Sequence, residues 1–134
     1  MAAKSRKKLV TLILLILLAG CANQLPPGGG EVDKIPPEVV DVYPPDETIN
    51  FDDDYIEIEF SEYVDKRSFQ EALFISPFIE GGLDFSWTSS TVTIEFKEKL
   101  KKDITYTVNV GSDVVDLNNK NRMANSYSFT FSTG

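Results

Sequence analysis

From Pro36 onward, apolar and polar side chains alternate in short runs, and that period of two restricts the chain to half-buried β-strands. Ile56, Ile58 and Phe60 are separated by Glu57 and Glu59, and Val92, Ile94 and Phe96 by Thr93 and Glu95. Ile104, Tyr106, Val108 and Val110 repeat the pattern, as do Tyr127, Phe129 and Phe131. Successive side chains of a strand point to opposite faces, so each run needs one dry face and keeps one wet face. Glu38 to Tyr43, Ala72 to Ser76 and Leu83 to Trp87 complete seven candidate strands. Between them stand Pro44-Pro45-Asp46, Pro77, Gly81-Gly82 and Asn118-Asn119, residues suited to turns.

Seven short strands within residues 36–134 predict an all-β fold, a seven-stranded immunoglobulin-like β-sandwich, with a small barrel as the architectural alternative. Strict alternation of Leu83, Phe85 and Trp87 assigns Trp87 to the core rather than to a sugar-stacking platform. Leu100 precedes Tyr106 by six residues. That spacing resembles the tyrosine corner of fibronectin type III and related Ig-like domains, whose phenol bonds back to the backbone at the preceding turn. A tyrosine that only packs inward fits the spacing equally.

The N-terminus follows another rule. Lys4, Arg6, Lys7 and Lys8 precede an apolar run from Leu9 to Leu18 in which Thr11 is the only polar residue. As a helix, these ten residues would span about 15 Å, half of the roughly 30 Å hydrocarbon core of a bilayer. A cleavable signal helix is therefore expected, with an uncleaved signal anchor as the alternative. Leu18-Ala19-Gly20-Cys21 resembles the lipobox of bacterial lipoproteins. The resemblance implies cleavage before Cys21 and anchoring to the membrane through acylated Cys21. Two or three acyl chains hold firmly where a single chain binds only marginally. As the sole cysteine, Cys21 also excludes an internal disulfide. The expected organisation is a lipoprotein signal peptide over 1–20, a lipid-anchored flexible linker over 21–35 containing Pro26-Pro27-Gly28-Gly29-Gly30, and the sandwich domain over 36–134.

Charge narrows the function classes. Cleavage at Cys21 leaves nine basic side chains against 21 acidic, a net charge of −12 that repels nucleic acid and anionic lipid head groups. The chain has no histidine, which excludes a Ser-His-Asp or Cys-His arrangement and a His-ligated zinc. A glycosidase pair of carboxylates needs a cleft that a single small sandwich lacks, so no enzyme is expected. Asp52-Asp53-Asp54 should share one end of the sandwich with Lys97, Lys99, Lys101 and Lys102. At the other end, Glu62 and Asp65 after the second strand should approach Asp113, Asp116 and Asn118 before the last. Hard oxygens converging from two loops are what calcium takes, which makes these five residues candidate calcium ligands. Solvated loop acids, with Asn118 capping a turn, are the alternative.

Several stretches together resemble the bacterial Ig-like domain of SbsA type found in lipoproteins of Bacteroidetes-like bacteria. They are Ile35-Pro36-Pro37, Tyr43-Pro44-Pro45, Ile58-Glu59-Phe60-Ser61-Glu62-Tyr63-Val64, Leu100 to Val110, Asp116-Leu117-Asn118-Asn119-Lys120-Asn121 and Phe129-Thr130-Phe131-Ser132-Thr133-Gly134. Asn119 and Lys120 depart from the small or glycine residues common there. The resemblance implies a cell-envelope module without an agreed chemistry. The expected role is a non-enzymatic spacer or interaction domain at the outer membrane, facing the periplasm, with an envelope protein or glycan as partner. A carbohydrate- or protein-binding surface lipoprotein is the alternative, and a hydrolase subunit a remote one. An odd number of alternating strands starts at one end and finishes at the other, which predicts the first module of a longer protein.

Overall fold

The computed structural model describes residues 32–134 and the isolated position Arg6. The expected signal peptide over 1–20, Cys21 and the linker up to Glu31 lie outside the described residues. The alternating runs form β1 (Val39–Tyr43), β2 (Tyr55–Phe60), β3 (Leu73–Ser76), β4 (Leu83–Thr88), β5 (Thr91–Phe96), β6 (Thr105–Val110) and β7 (Tyr127–Ser132). They pair antiparallel in two separate sheets, β1-β2-β5-β4 and β3-β6-β7, which makes the architecture a sandwich and not a barrel.

Register follows from the alternation. Ile58 faces both Val42 and Val92, and Val108 faces both Ile75 and Phe129, so each strand's apolar set meets its neighbour's on the inner face. Ile56, Ile58, Val92, Ile94, Val108 and Val110 are fully buried, with Phe60, Phe69, Phe129 and Phe131 filling the space between the sheets. The segment after β1 covers the free edge of β7: Glu47 N–H donates to Thr130 O, Ser132 N–H to Thr48 O and Phe51 N–H to Ser132 O.

One element escapes the period-two reading. Residues Lys66–Ala72 form a two-turn helix, α1, between β2 and β3. Asp65 caps it by accepting from Ser68 N–H at 2.9 Å, while Ser68 Oγ donates back to Asp65 O at 2.8 Å. Phe69 is its one buried side chain and plugs the core edge-on against Phe60 and Trp87. Trp87 is half-buried between Phe60 and Phe69, with the Lys66 ammonium 6.0 Å above the ring. Its Nε1 is shielded from water without a partner. That is a core indole, as the alternation required.

Tyr106 is 3% exposed and its Oη accepts from Lys101 N–H at 3.0 Å, while its ring stacks on Phe131 at 5.5 Å. The phenol thus pins the connection from β5 to β6, and the tyrosine-corner reading prevails over simple inward packing.

Backbone hydrogen bonds among the connecting segments define two poles. At one, Leu117 N–H donates to Tyr63 O and Asp65 N–H to Val115 O; Asp33 joins it through Asn121 Nδ2, which donates to Asp33 O at 2.9 Å. At the other, Asn50 N–H donates to Gly134 O, and Phe96 N–H to Asp54 O. The chain therefore comes in at one pole and reaches Gly134 at the opposite one.

Candidate functional site

Asp116 organises the first pole. It sits in the loop between β6 and β7, where an antiparallel bridge to Val64 holds it, and it is 2% exposed. A buried carboxylate needs donors. Its Oδ1 accepts from Asn119 N–H at 2.8 Å and Asn121 N–H at 3.2 Å, and its Oδ2 accepts from Asn121 Nδ2 at 2.8 Å. These bonds wrap the loop around the carboxylate and hold Lys120 at φ 56, the left-handed region where glycine is usual. The departure at Lys120 is therefore accommodated by local bonding, and its Nζ reaches Asp65 at 3.3 Å.

Carboxylate oxygens of Asp33, Glu62 and Asp116 lie within 4.8 Å of one another. Of the five expected ligands, the structure brings Glu62 and Asp116 together and uses the others differently. Asp65 caps α1 and meets Lys120. Asp113 pairs with Arg122 at 3.1 Å, and Asn118 is exposed. The third member, Asp33, falls within the stretch expected as linker. Its carboxylate accepts from Ile35 N–H at 2.8 Å in an Asx turn, a local sign of order for residues 33–35. Asn121, which ties Asp33 to Asp116, carried no chemical role in the sequence. Its partner is 88 positions away, and no spacing rule reaches that far.

The electrostatics follow from these bonds. Burial, with Asp116 and Asp33 adding negative charge, pushes the Glu62 carboxyl above its ordinary value. Burial pushes the Asp116 carboxyl up too, but the Asn121 amide and the N–H groups of Asn119, Asn121 and Lys120 outweigh it and hold Asp116 below the usual range. Ser68 N–H and then Lys120 hold Asp65 low against burial. The two neighbouring carboxyls are displaced in opposite directions, Glu62 toward its neutral form and Asp116 toward its ionised form. Asp116, whose lone pairs are largely taken, serves as a structural acceptor rather than a nucleophile.

At the second pole an open groove of about 830 Å³ has Asp52, Asp53 and Asp54 across from Lys97, Lys99 and Lys102, with Phe51 and Phe96 at its floor. The expected sharing of one end is observed. Among the described residues these aspartates close no ion pair with the lysines; Lys97 instead meets Asp84 at 3.1 Å. Asp53 accepts from the Tyr43 phenol, which raises the Tyr43 hydroxyl to about 12.

The model of the bacterial Ig-like domain matches residues 33–133, the same span that folds around Asp33 and the two sheets. The chain belongs to this family. An L,D-transpeptidase from Mycobacterium smegmatis superposes on this Ig-like domain with a TM-score of 0.55 at 19% identity, over 73% of this chain and 40% of that one. The L,D-transpeptidase LdtMt1 in complex with imipenem gives 0.51 at 16% identity, over 72% and 40%. The S-layer protein SbsC gives 0.47 at 20% identity, over 73% and 14%. At such identities the likeness is one of fold, and this chain spans about two fifths of the transpeptidase chains. No curated protein matches the chain.

Proposed function

We propose that this Ig-like domain is a non-enzymatic spacer of the bacterial cell envelope, anchored to the outer membrane through acylated Cys21 and facing the periplasm. The observation that carries the reading is the placement of Asp33 and Gly134 at opposite poles. Strands of six residues at about 3.4 Å each separate those poles by roughly 20 Å. A domain threaded in this way displaces whatever is joined at its far pole from whatever holds the near one. The rigidity a spacer needs comes from Tyr106 at one pole and Asp116 at the other, and neither is free for chemistry.

The anchor is tested by expressing the full chain in a Gram-negative host with radiolabelled palmitate. Label on the chain and recovery in outer-membrane fractions are expected, and Cys21→Ser should lose both while the domain stays folded. An unlabelled wild type overturns the anchor. The spacer is tested by energy transfer from dyes at Asn118→Cys and Lys102→Cys to acceptor lipids in vesicles holding the acylated protein. Transfer should be weaker from Lys102, and equal transfer would mean a domain lying flat.

A further inference from the structure

We infer that the near pole makes a second, apolar contact with the membrane, in which Ile35, Tyr63 and Leu117 rest in the interfacial layer of a zwitterionic bilayer. The inference rests on the lipid-anchor reading proposed above. Val64 and Asp116 form an antiparallel bridge and both are buried, so their neighbours Tyr63 and Leu117, joined by the Leu117 N–H to Tyr63 O bond, lie opposite each other and face outward. Tyr63 is 57% exposed and Leu117 51%. Ile35, 73% exposed, belongs to the incoming segment that Glu38 and Ser61 tie to the same loop by reciprocal bonds.

A single exposed apolar side chain needs no explanation. A cross-strand pair of them, with a third on the segment that leads in from Cys21, has a specific neighbour available. Twelve residue steps separate Cys21 from Asp33, a reach of at most about 40 Å when fully extended. Relaxed, a flexible tether of that length spans roughly 20 Å, so an acylated Cys21 keeps this pole, where the tether joins the domain, nearer the bilayer than the opposite one. Tyrosine suits the interfacial layer because its ring is apolar and its hydroxyl stays wet; here the hydroxyl accepts from Ser89 Oγ at 3.4 Å. The charge selects the lipid. Lys34, Lys66, Lys120 and Arg122 share this pole with Asp33, Glu62 and Asp116 and leave it no basic surplus to attract anionic head groups; the net charge of −12 beyond Gly20 repels them, and the contact is an apolar one with zwitterionic lipid.

The acylated full chain is reconstituted in phosphatidylethanolamine–phosphatidylcholine vesicles with an environment-sensitive dye at Leu117→Cys, and in a second preparation at Lys102→Cys. Flotation with the vesicles reports the anchor, and Trp87 emission reports an intact core. The Leu117 dye should shift to the blue and be quenched by lipids carrying shallow quenchers, whereas the Lys102 dye keeps its emission in water. Tyr63→Ser should diminish the Leu117 shift, and so should replacing a third of the lipid with an anionic one. A chain that floats while the Leu117 dye stays water-like overturns the contact and leaves the anchor standing. A chain that does not float overturns both.

Discussion

The two poles of the sandwich are equally acidic to the eye and opposite in construction. At the far pole three consecutive aspartates, Asp52, Asp53 and Asp54, are exposed and line an open groove. At the near pole the single Asp116 is buried and holds a loop together through three hydrogen bonds from Asn119 and Asn121. A run of acids in water keeps most of its charge solvated, here with Asp53 alone engaged by the Tyr43 phenol, whereas one acid surrounded by backbone N–H groups becomes a framework atom. The far pole has a framework atom too, but it is a phenol: Tyr106 does for the β5–β6 connection what Asp116 does for the β6–β7 loop.

The comparison breaks most readily at Asp116. Asp116→Ala leaves two backbone N–H groups and the Asn121 amide without their acceptor in a buried place, and should lower the denaturation midpoint more than any other single acid-to-alanine change. Amide exchange at Asn119 and Asn121 should accelerate with it. The triple change of Asp52, Asp53 and Asp54 to Asn should leave the midpoint where it is, since an Asn carbonyl still accepts from Tyr43. A triple variant less stable than Asp116→Ala would mean that the poles are built alike.

Tyr106→Phe probes the other framework atom. It removes one hydrogen bond and strands Lys101 N–H, at a cost of about 0.5–1.5 kcal/mol, and retains the stack on Phe131. An unchanged denaturant midpoint would take the phenol out of the framework.

What the sequence disclosed and what it hid divide along the same line. All seven strands were legible because Ile56-Glu57-Ile58-Glu59-Phe60 and its counterparts repeat at a period that local geometry imposes. Tyr106 was legible because its partner lies five positions back. Helix α1 was not, since two turns with only Phe69 buried offer no helical periodicity to read, and its sole local mark is the Asp65–Ser68 cap. The convergence of Glu62 with Asp116 followed from strand topology, but the role of Asp65 as a cap, of Asp113 as a partner of Arg122, and of Asp33 as a member of the cluster depended on contacts that no spacing encodes.

The smallest expected effect sharpens the near pole further. Burial together with Asp116 and Asp33 raises the Glu62 carboxyl above its ordinary 4.5, so the fold disfavours the ionised form. A carboxyl raised in the folded state contributes stability that is fully present below pH 4.5 and is lost as pH rises through its folded value. Asp116 and Asp65 run the other way: lowered from 3.8, they contribute stability that is present above that pH and is lost as pH falls through their folded values. The windows are therefore separate: Glu62 governs the one that opens just above 4.5, while the raised Tyr43 hydroxyl acts only in alkali, above 10.0. Glu62→Gln should raise the midpoint at pH 7 in calcium-free buffer, and the difference from wild type should shrink on acidification and vanish below 4.5. Equal midpoints at pH 7, or a difference that grows in acid, would remove the repulsion from the account. Millimolar calcium supplies the decisive variation. Three carboxylate oxygens that repel one another would, around a cation, become ligands. In that case the order at pH 7 reverses, with Glu62→Gln the less stable protein, and the near pole becomes an ion site instead of a self-contained framework.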